Sequence, residues 1–393
     1  MKKAYILSAT RTPIGSYGGI FKNIDATELG ATAIRGALEN ADISPDMVEE
    51  VYMGNVISAN LGQAPARQAA LKAGLPHSIP CTTINKVCSS GMKAIMLAAQ
   101  NIVLGYQDVI VAGGMENMSR IPYYVPQARF GYKFGEGALI DGLQKDGLAD
   151  AYSHEAMGVS ADRTAEKHGF SREAQDEYAI QSYQRSSNST KSGLFKNEIT
   201  PVKVPQRKGD PVKVSEDEEY KKVNFEKIPQ LRPAFTRGGT VTAANASTIN
   251  DGASALLIVS ENFLKDHGLT PLAEITSWAD AAHEPEWFTT APPLATSKVL
   301  ARGGLKVTDI DLFEVNEAFS IVPMVFAKEL DIAPDKMNIL GGAVSLGHPL
   351  GASGARIVTT LLNALDSRDK SVGCASICNG GGGASSMIIR KVN

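Results

Sequence analysis

Apolar and polar positions alternate along this chain in two periods. Short apolar runs of strand length are separated by longer stretches whose apolar residues recur at helical spacing, the pattern of packed α/β layers. In the first half, Ala4-Tyr5-Ile6-Leu7 and Val51-Tyr52-Met53 read as strands, and residues 27–40, 64–73 and 92–104 as helices. Asp108-Val109-Ile110-Val111-Ala112 reads as a buried strand ending in Gly113-Gly114. The second half repeats the theme. A helix begins at 297–301, a strand lies at 310–315, helices run over 319–330 and 355–365, and a strand at 371–378 precedes Gly380-Gly381-Gly382-Gly383. Between the halves the texture changes: a polar helix at 171–187, Pro205, Pro211 and the acidic run Glu216-Asp217-Glu218-Glu219 read as an inserted segment.

Set side by side, the halves show a faint duplication. Cys88-Ser89-Ser90-Gly91 leads into an apolar helix and then a strand ending in glycines, as does His348-Pro349-Leu350-Gly351. Two related αβ units with equivalent helix N-termini follow, with Cys88 and His348 as symmetry mates. The expected division is an N-terminal domain of residues 1–118 with 247–270, an inserted loop domain of 119–246 and a C-terminal domain of 271–393.

Composition narrows the function. The chain has 393 residues, 43% of them hydrophobic and 21% charged, enough for a sizeable core. A net charge of −3 with no long basic block argues against a nucleic-acid surface. No apolar run is expected to reach membrane-spanning length, and Met1-Lys2-Lys3 does not open a signal peptide, so a cytoplasmic protein is expected. The four cysteines, Cys81, Cys88, Cys374 and Cys378, form neither a disulfide framework nor a zinc pattern.

Cys88 is the leading chemical candidate. Ser89, Ser90 and Gly91 permit a tight entry into the following helix, whose free N–H groups and positive end favour thiolate over thiol. A buried, inert cysteine is the bland alternative. Downstream, His348 in Gly347-His348-Pro349, Cys378 before its glycine run, and Asn316 in Asn316-Glu317-Ala318-Phe319 occupy turn-rich junctions. Separately they suit structural roles. Together they supply a nucleophile, a base, a second thiol and an amide able to hold water.

These segments resemble the thiolase motif set: Asn85-Lys86-Val87-Cys88-Ser89-Ser90-Gly91, Gly113-Gly114-Met115-Glu116-Asn117-Met118-Ser119, Asn316-Glu317-Ala318-Phe319, Gly341 to Pro349, and Cys378-Asn379-Gly380-Gly381-Gly382. The likeness extends from Arg11-Thr12-Pro13-Ile14-Gly15 to the C-terminus and is strongest to the branch that condenses acetyl groups. It implies an α/β thiolase fold, with duplicated mixed-sheet αβαβα layers and an inserted loop domain. It also implies a reversible Claisen condensation of acetyl-CoA to acetoacetyl-CoA. Cys88 would carry the acyl group, His348 would take its proton, and Cys378 would be the acid/base at carbon. A water on Asn316 with His348 would serve the enolate oxygen, and the Cys88 and Gly380 N–H groups the tetrahedral oxyanion.

By the same resemblance, Ser247 would meet the pantetheine, and Lys222, Val223, Asn224 and Lys227 the nucleotide end of CoA. Met157, Phe235, Ala318 and Phe319 would line the acyl tunnel, with Tyr183 beside it. Coenzyme A is then a substrate, and no cofactor is required. Ala156 replaces a family histidine, and His154 is out of register with it. Ser182-Tyr183, the 242–247 segment and Ala343-Val344-Ser345 resemble a potassium-binding branch, which implies K⁺ at Tyr183, Val344 and the carbonyls of Ala243, Ala244 and Ala246. Thr289 replaces the proline that follows Phe288 in that branch, so 2-methyl-branched substrates are not implied. Residues 123–137 match a tetramer-forming loop, and a homotetramer is expected. Two other classes stay open at this point: a carrier-protein ketoacyl synthase, against which Cys378 argues, and a non-catalytic CoA-binding relative.

Overall fold

The computed structural model describes residues 2–392. The first half runs through β1 (Ala4–Arg11), β2 (Gly15–Ser16), α1 (Ala26–Ala41), β3 (Glu50–Gly54), α2 (Pro65–Lys72), β4 (Cys81–Ile84), α3 (Ser90–Leu104) and β5 (Val109–Asn117). A long excursion follows, with β6 (Tyr123–Tyr124), β7 (Ile140–Asp141), α4 (Met157–His168), α5 (Arg172–Lys191), β8 (Val202–Val204) and β9 (Val212–Val214). The chain returns through β10 (Asn250–Ser260) and α6 (Glu261–His267). The second half comprises β11 (Ala273–Ala282), α7 (Ala291–Gly303), β12 (Leu312–Val315), α8 (Ile321–Leu330), α9 (Ala343–Leu346), α10 (Leu350–Ser367), β13 (Val372–Asn379) and β14 (Gly383–Lys391).

A ten-stranded sheet has the order β12-β13-β14-β11-β1-β10-β5-β3-β4, with β2 beside β10. The duplication is written in its pairing. β3 runs parallel to β5, β5 antiparallel to β10 and β10 antiparallel to β1. In the other half β12 is parallel to β13, β13 antiparallel to β14 and β14 antiparallel to β11. The halves join where Ala4, Ile6 and Tyr5 of β1 pair with β11.

Both faces of this sheet are covered, and the strand period shows it. On β10, Leu256 and Ile258 enter the core shared with α3 and α10, whereas Leu257 and Val259 enter the core under α1 and α2. α7 and α8 cover the outer face of the second half with Val299, Val325 and Phe326. Helices α3 and α10 are therefore the central layer. Each of these fully buried side chains contributes about 1.5–3 kcal/mol by leaving water.

Several elements depart from expectation. β5 does not stop at its glycines but continues to Asn117, because a Cβ at Gly114 would lie 1.9 Å from the Gly351 carbonyl oxygen of α10. These glycines are sites of backbone contact rather than terminators. Helix α7 starts at Ala291, earlier than expected, since Pro292 and Pro293 occupy a first turn that needs no N–H partners. The stretch Val87–Leu104 is long and apolar enough to cross a membrane, contrary to the reading of the sequence, but it is the α3 region of the core.

Gly114→Ala should cost at least about 3 kcal/mol or prevent folding, because only backbone atoms oppose the new methyl. Gly381→Ala, with open space but φ of +84°, should cost only about 1–2 kcal/mol. Urea unfolding of the two variants compares them, and equal losses would refute the packing argument.

Candidate active site

Cys88 sits on an elbow between β4 and α3. The residue before it, Val87, has φ of +48°, a conformation β-branched residues avoid. Local hydrogen bonds hold it there. Asn85 Oδ1 accepts the Val87 N–H at 3.0 Å, and Ser90 Oγ accepts from Lys86 N at 2.8 Å while donating to Val87 O at 2.6 Å. Lys86 Nζ reaches across to Asp280 at 2.7 Å and Ser385 at 2.8 Å in the second half. The strain turns Sγ toward a cavity, where the N–H groups of Gly380 and of Cys88 itself point at it. Even so, burial pushes the thiol up to about 11, outweighing those two donors. The helix end does not leave Cys88 a resting thiolate, which corrects the expectation from its position.

His348 is held in the opposite half. Its backbone N–H donates to Asn250 Oδ1 at 2.9 Å, and Nδ1 lies 2.6 Å from Ser353 Oγ. Ser353 spends its own proton on Pro349 O at 2.9 Å, so Nδ1 must carry the imidazole proton. That leaves Nε2 as the acceptor, buried and without a partner among the described residues. Burial, followed by the positive charge of Arg356, pushes the imidazole down to about 3, so it stands neutral. A neutral ring with a free Nε2 lone pair is the form a general base requires.

Cys378 and Asn316 are wholly buried and lie outside the cavity wall. Cys378 is the penultimate residue of β13, where burial and then the charge of Cys88 drive its thiol far up, which places the two sulfurs within electrostatic reach. Neither the amide oxygen nor the amide nitrogen of Asn316 has a partner among the described residues. Such an amide suits a water or a substrate oxygen.

The cavity, about 540 Å³, is lined by Cys88, His348 and Gly380 at its chemical end. Met157, Phe235, Ala318 and Phe319 form its apolar wall, and Ser247, Ala243, Ala246 and Lys222 lie along it, as does Ala156. Phe319 is packed edge-to-face against Phe235 and Phe288, with centroids 6.0 and 6.5 Å away. Val223, Asn224 and Lys227 do not line it. Nor does Tyr183, which lies in a buried cluster with Val344, while Ala244 is buried off the wall. A cleft of about 810 Å³, lined by His154, Tyr124 and Asp150, opens beside it and shares Val87, Met157 and Gly380.

Thiolase, N-terminal domain, matches residues 4–262, and Thiolase, C-terminal domain, matches residues 269–391. The chain belongs to the thiolase family. Among relatives of this thiolase, the acetyl-CoA acetyltransferase of Schizosaccharomyces pombe is 53% identical over 391 residues, covering 99% of each chain. That of Saccharomyces cerevisiae is 52% identical over 397 residues and covers 100% of both. A cytosolic acetyl-CoA acetyltransferase of Gibberella zeae is 51% identical, over 99% of this chain and 98% of its own. In three dimensions, the Acat5 thiolase of Ascaris suum, solved in complex with coenzyme A, aligns over 100% of both chains with a TM-score of 0.94 and 46% identity.

Sequence reasoning missed three features of this thiolase site. The φ of Val87 had no local signal beyond the small residues after Cys88. Ser353 could have been found from its place one helical turn after Pro349, the residue next to His348. Glu116, in the Gly113 to Ser119 motif, drew no attention as a group in its own right, yet its carboxylate contacts the first turn of α10.

Because burial holds Cys88 at about 11, alkylation by iodoacetamide in the ligand-free thiolase should climb about tenfold per pH unit from pH 7 to 10. A plateau near neutrality, read by mass spectrometry of the Cys88 peptide, would show that the donors outweigh burial.

Proposed function

We infer that this thiolase is an acetyl-CoA acetyltransferase that joins two acetyl-CoA molecules to acetoacetyl-CoA and free CoA, reversibly. The observation that carries this is one cavity in which Cys88 Sγ, flanked by two backbone donors, shares a wall with the unpartnered Nε2 of His348. A second thiol lies within electrostatic reach. The names of the full-length relatives support the same substrate.

The chemistry follows from those groups. His348 Nε2 takes the Cys88 proton as sulfur attacks the acetyl thioester, and returns it to the departing CoA thiolate, leaving acetyl-Cys88. The oxyanion of that step falls to the Cys88 and Gly380 N–H groups, worth about 2.7–4 kcal/mol for each such donor. Cys378 releases its own proton to solvent and, as thiolate, removes the α-proton of a second acetyl-CoA. The enolate attacks acetyl-Cys88, the C–S bond breaks, and the freed Cys88 thiolate takes a proton from solvent, so that both cysteines end the cycle as thiols. Acylation also means that no thiolate can form at Cys88, so a thiolate at Cys378 has no second charged sulfur beside it. The enolate oxygen is assigned to His348 and a water on Asn316. Lys222, beside Glu218 and Glu219, is the one lysine or arginine among the residues that line the cavity, which supports it as a cation for the CoA phosphates.

We further propose a cytoplasmic homotetramer and a K⁺ site at Tyr183, Val344 and the carbonyls of Ala243, Ala244 and Ala246. The exposed aromatics Tyr123, Phe130 and Phe134 support assembly, since a lone subunit gains nothing by showing them to water. The compartment is the one named for the Gibberella zeae relative. For the cation, the Tyr183 hydroxyl is raised by burial and by the charges of Glu219 and Glu317, a setting that suits a positive ion.

Cys378→Ser should still accept acetyl on Cys88, seen as a mass increase, while α-proton exchange and turnover fall by about 10²–10⁴. Cys88→Ser should trap no acetyl group; trapping at the normal rate would sink the assignment, as would unchanged enolate absorbance when wild type meets acetoacetyl-CoA and CoA. Activity across a 3-ketoacyl-CoA length series should be confined to four carbons. Sedimentation velocity and turnover in K⁺ and Na⁺ buffers of equal ionic strength test the other proposals: a tetramer that is faster in K⁺ is expected, and a monomer or equal rates would refute them.

A further inference from the structure

Glu116, the penultimate residue of β5, has 1% exposure and no cationic partner among the described residues, and burial pushes its carboxyl up to about 7 against the pull of its backbone donors. Everything that touches its oxygens is a donor. Oε1 accepts from Asn55 Nδ2 at 2.9 Å and Ile57 N at 3.2 Å; Oε2 accepts from Val56 N and from Gly351 N, both at 2.9 Å. Gly351 lies in the first turn of α10, two residues after Pro349 and three after His348. Val56 carries the connection the other way: its carbonyl accepts from Asn85 Nδ2 at 3.1 Å, and Asn85 Oδ1 accepts the Val87 N–H at 3.0 Å. An unbroken path therefore runs from the base helix to the strained residue before the nucleophile, Gly351 to Glu116 to Val56 to Asn85 to Val87.

We propose that Glu116 is a positioning residue of the acyl-transfer site, whose carboxylate sets the spacing of His348 and Cys88 by clamping the first turn of α10 to the loop that carries the elbow. The geometry argues against a contact that serves stability alone. Burying an unpaired carboxylate is expensive, and an apolar residue would fill the same space at lower cost. What the carboxylate supplies is four acceptor directions converging on two segments from opposite halves of the fold. Glutamine has the same shape but offers one acceptor oxygen, and its NH₂ would face two N–H donors. The positive end of α10 adds attraction for the anion that an amide lacks.

This inference rests on the acyl-transfer reading of Cys88 and His348. Glu116→Gln, Asn85→Ala and the double variant test it in the full-length protein; Asn85 is exposed, so its replacement leaves the core intact. Each single variant should lower kcat for thiolysis of acetoacetyl-CoA by about 10²-fold, the cost of a misplacement of about 1 Å, with KM within about twofold. The double variant should be no worse than the worse single one, because one path is cut once. Rates are expressed per mole of folded protein, the native fraction being taken from near-UV circular dichroism, which removes unfolded protein from the comparison. Wild-type kcat in Glu116→Gln, multiplicative losses in the double variant, or losses that vanish after that correction would overturn the proposal. If wild type itself performs no thiolysis, the acyl-transfer reading fails separately. The alkylation rate of Cys88, which needs no substrate, then decides: a change of about tenfold or more in both single variants upholds the positioning role, and unchanged rates reject it.

Discussion

The site depends on two helices meeting with almost no side chain between them. A Cβ at Gly91 of α3 would lie 2.8 Å from Ala355 N of α10, and one at Gly354 of α10 would lie 2.4 Å from Met92 N of α3. Backbone thus touches backbone where α3 and α10 cross, with β3 and β5 pressed against the same point through Gly54 and Gly114. Any bulkier residue would wedge the halves apart. Because Cys88 precedes one helix and His348 the other, a packing rule in the central layer becomes a rule about catalytic distance. The duplication of the sheet supplies the symmetry, and the missing side chains supply the proximity.

Around that crossing the interior is rich in carboxylates, and they are managed in two ways. Arg11 pairs with Glu198 at 2.6 Å and with Asp217 at 2.7 Å, tying β1 to the inserted segment, and Arg356 pairs with Glu314 at 2.8 Å. Glu116 and Glu317 have no such cation and are satisfied by donors alone. Glu317 accepts from Tyr178, Ser182, Asn338 and the Val344 N–H at 2.7 to 3.0 Å, fixing the short helix α9 that leads into Gly347-His348. Ion pairs bridge distant segments of the chain, while the donor-held carboxylates brace the loops on either side of His348. Loops that must be both irregular and immobile need this bracing, since a buried turn has no ladder to satisfy its amides.

The elements whose signals are local were legible in the sequence. Helices α1, α2, α3 and α10 were visible in their periodicity, and Cys88 and His348 in the small residues that open equivalent helices. β10 was not, because it begins with Asn250-Asp251-Gly252, which reads as turn chemistry until β5 and β1 are seen on either side of it. The inner glycines were read as ends of strands for the same reason: only a neighbour from the other half reveals that they are contacts. Glu116 and the backbone of Val87 act through partners far away in sequence or through dihedral angles. No window along the chain contains that information. The motif resemblance reached Cys88 and His348 and passed over the residues that hold them.

The resting chemistry of the site is set by burial more than by its charges. The Cys88 thiol stands at about 11 and the His348 imidazole at about 3, so sulfur keeps its proton and the ring does not seek one. An imidazolium–thiolate pair is thus disfavoured before substrate arrives, since each ion would have to form in a pocket walled by Met157, Phe235 and Phe319. The two backbone donors at Sγ do too little to reverse this for a thiolate. They are better matched to an oxyanion that appears only when a thioester carbonyl is attacked, where fixed donors need no reorganisation. Charge separation is thereby deferred to the moment of reaction, and a site holding two thiols avoids standing as a pair of oxidisable thiolates between turnovers.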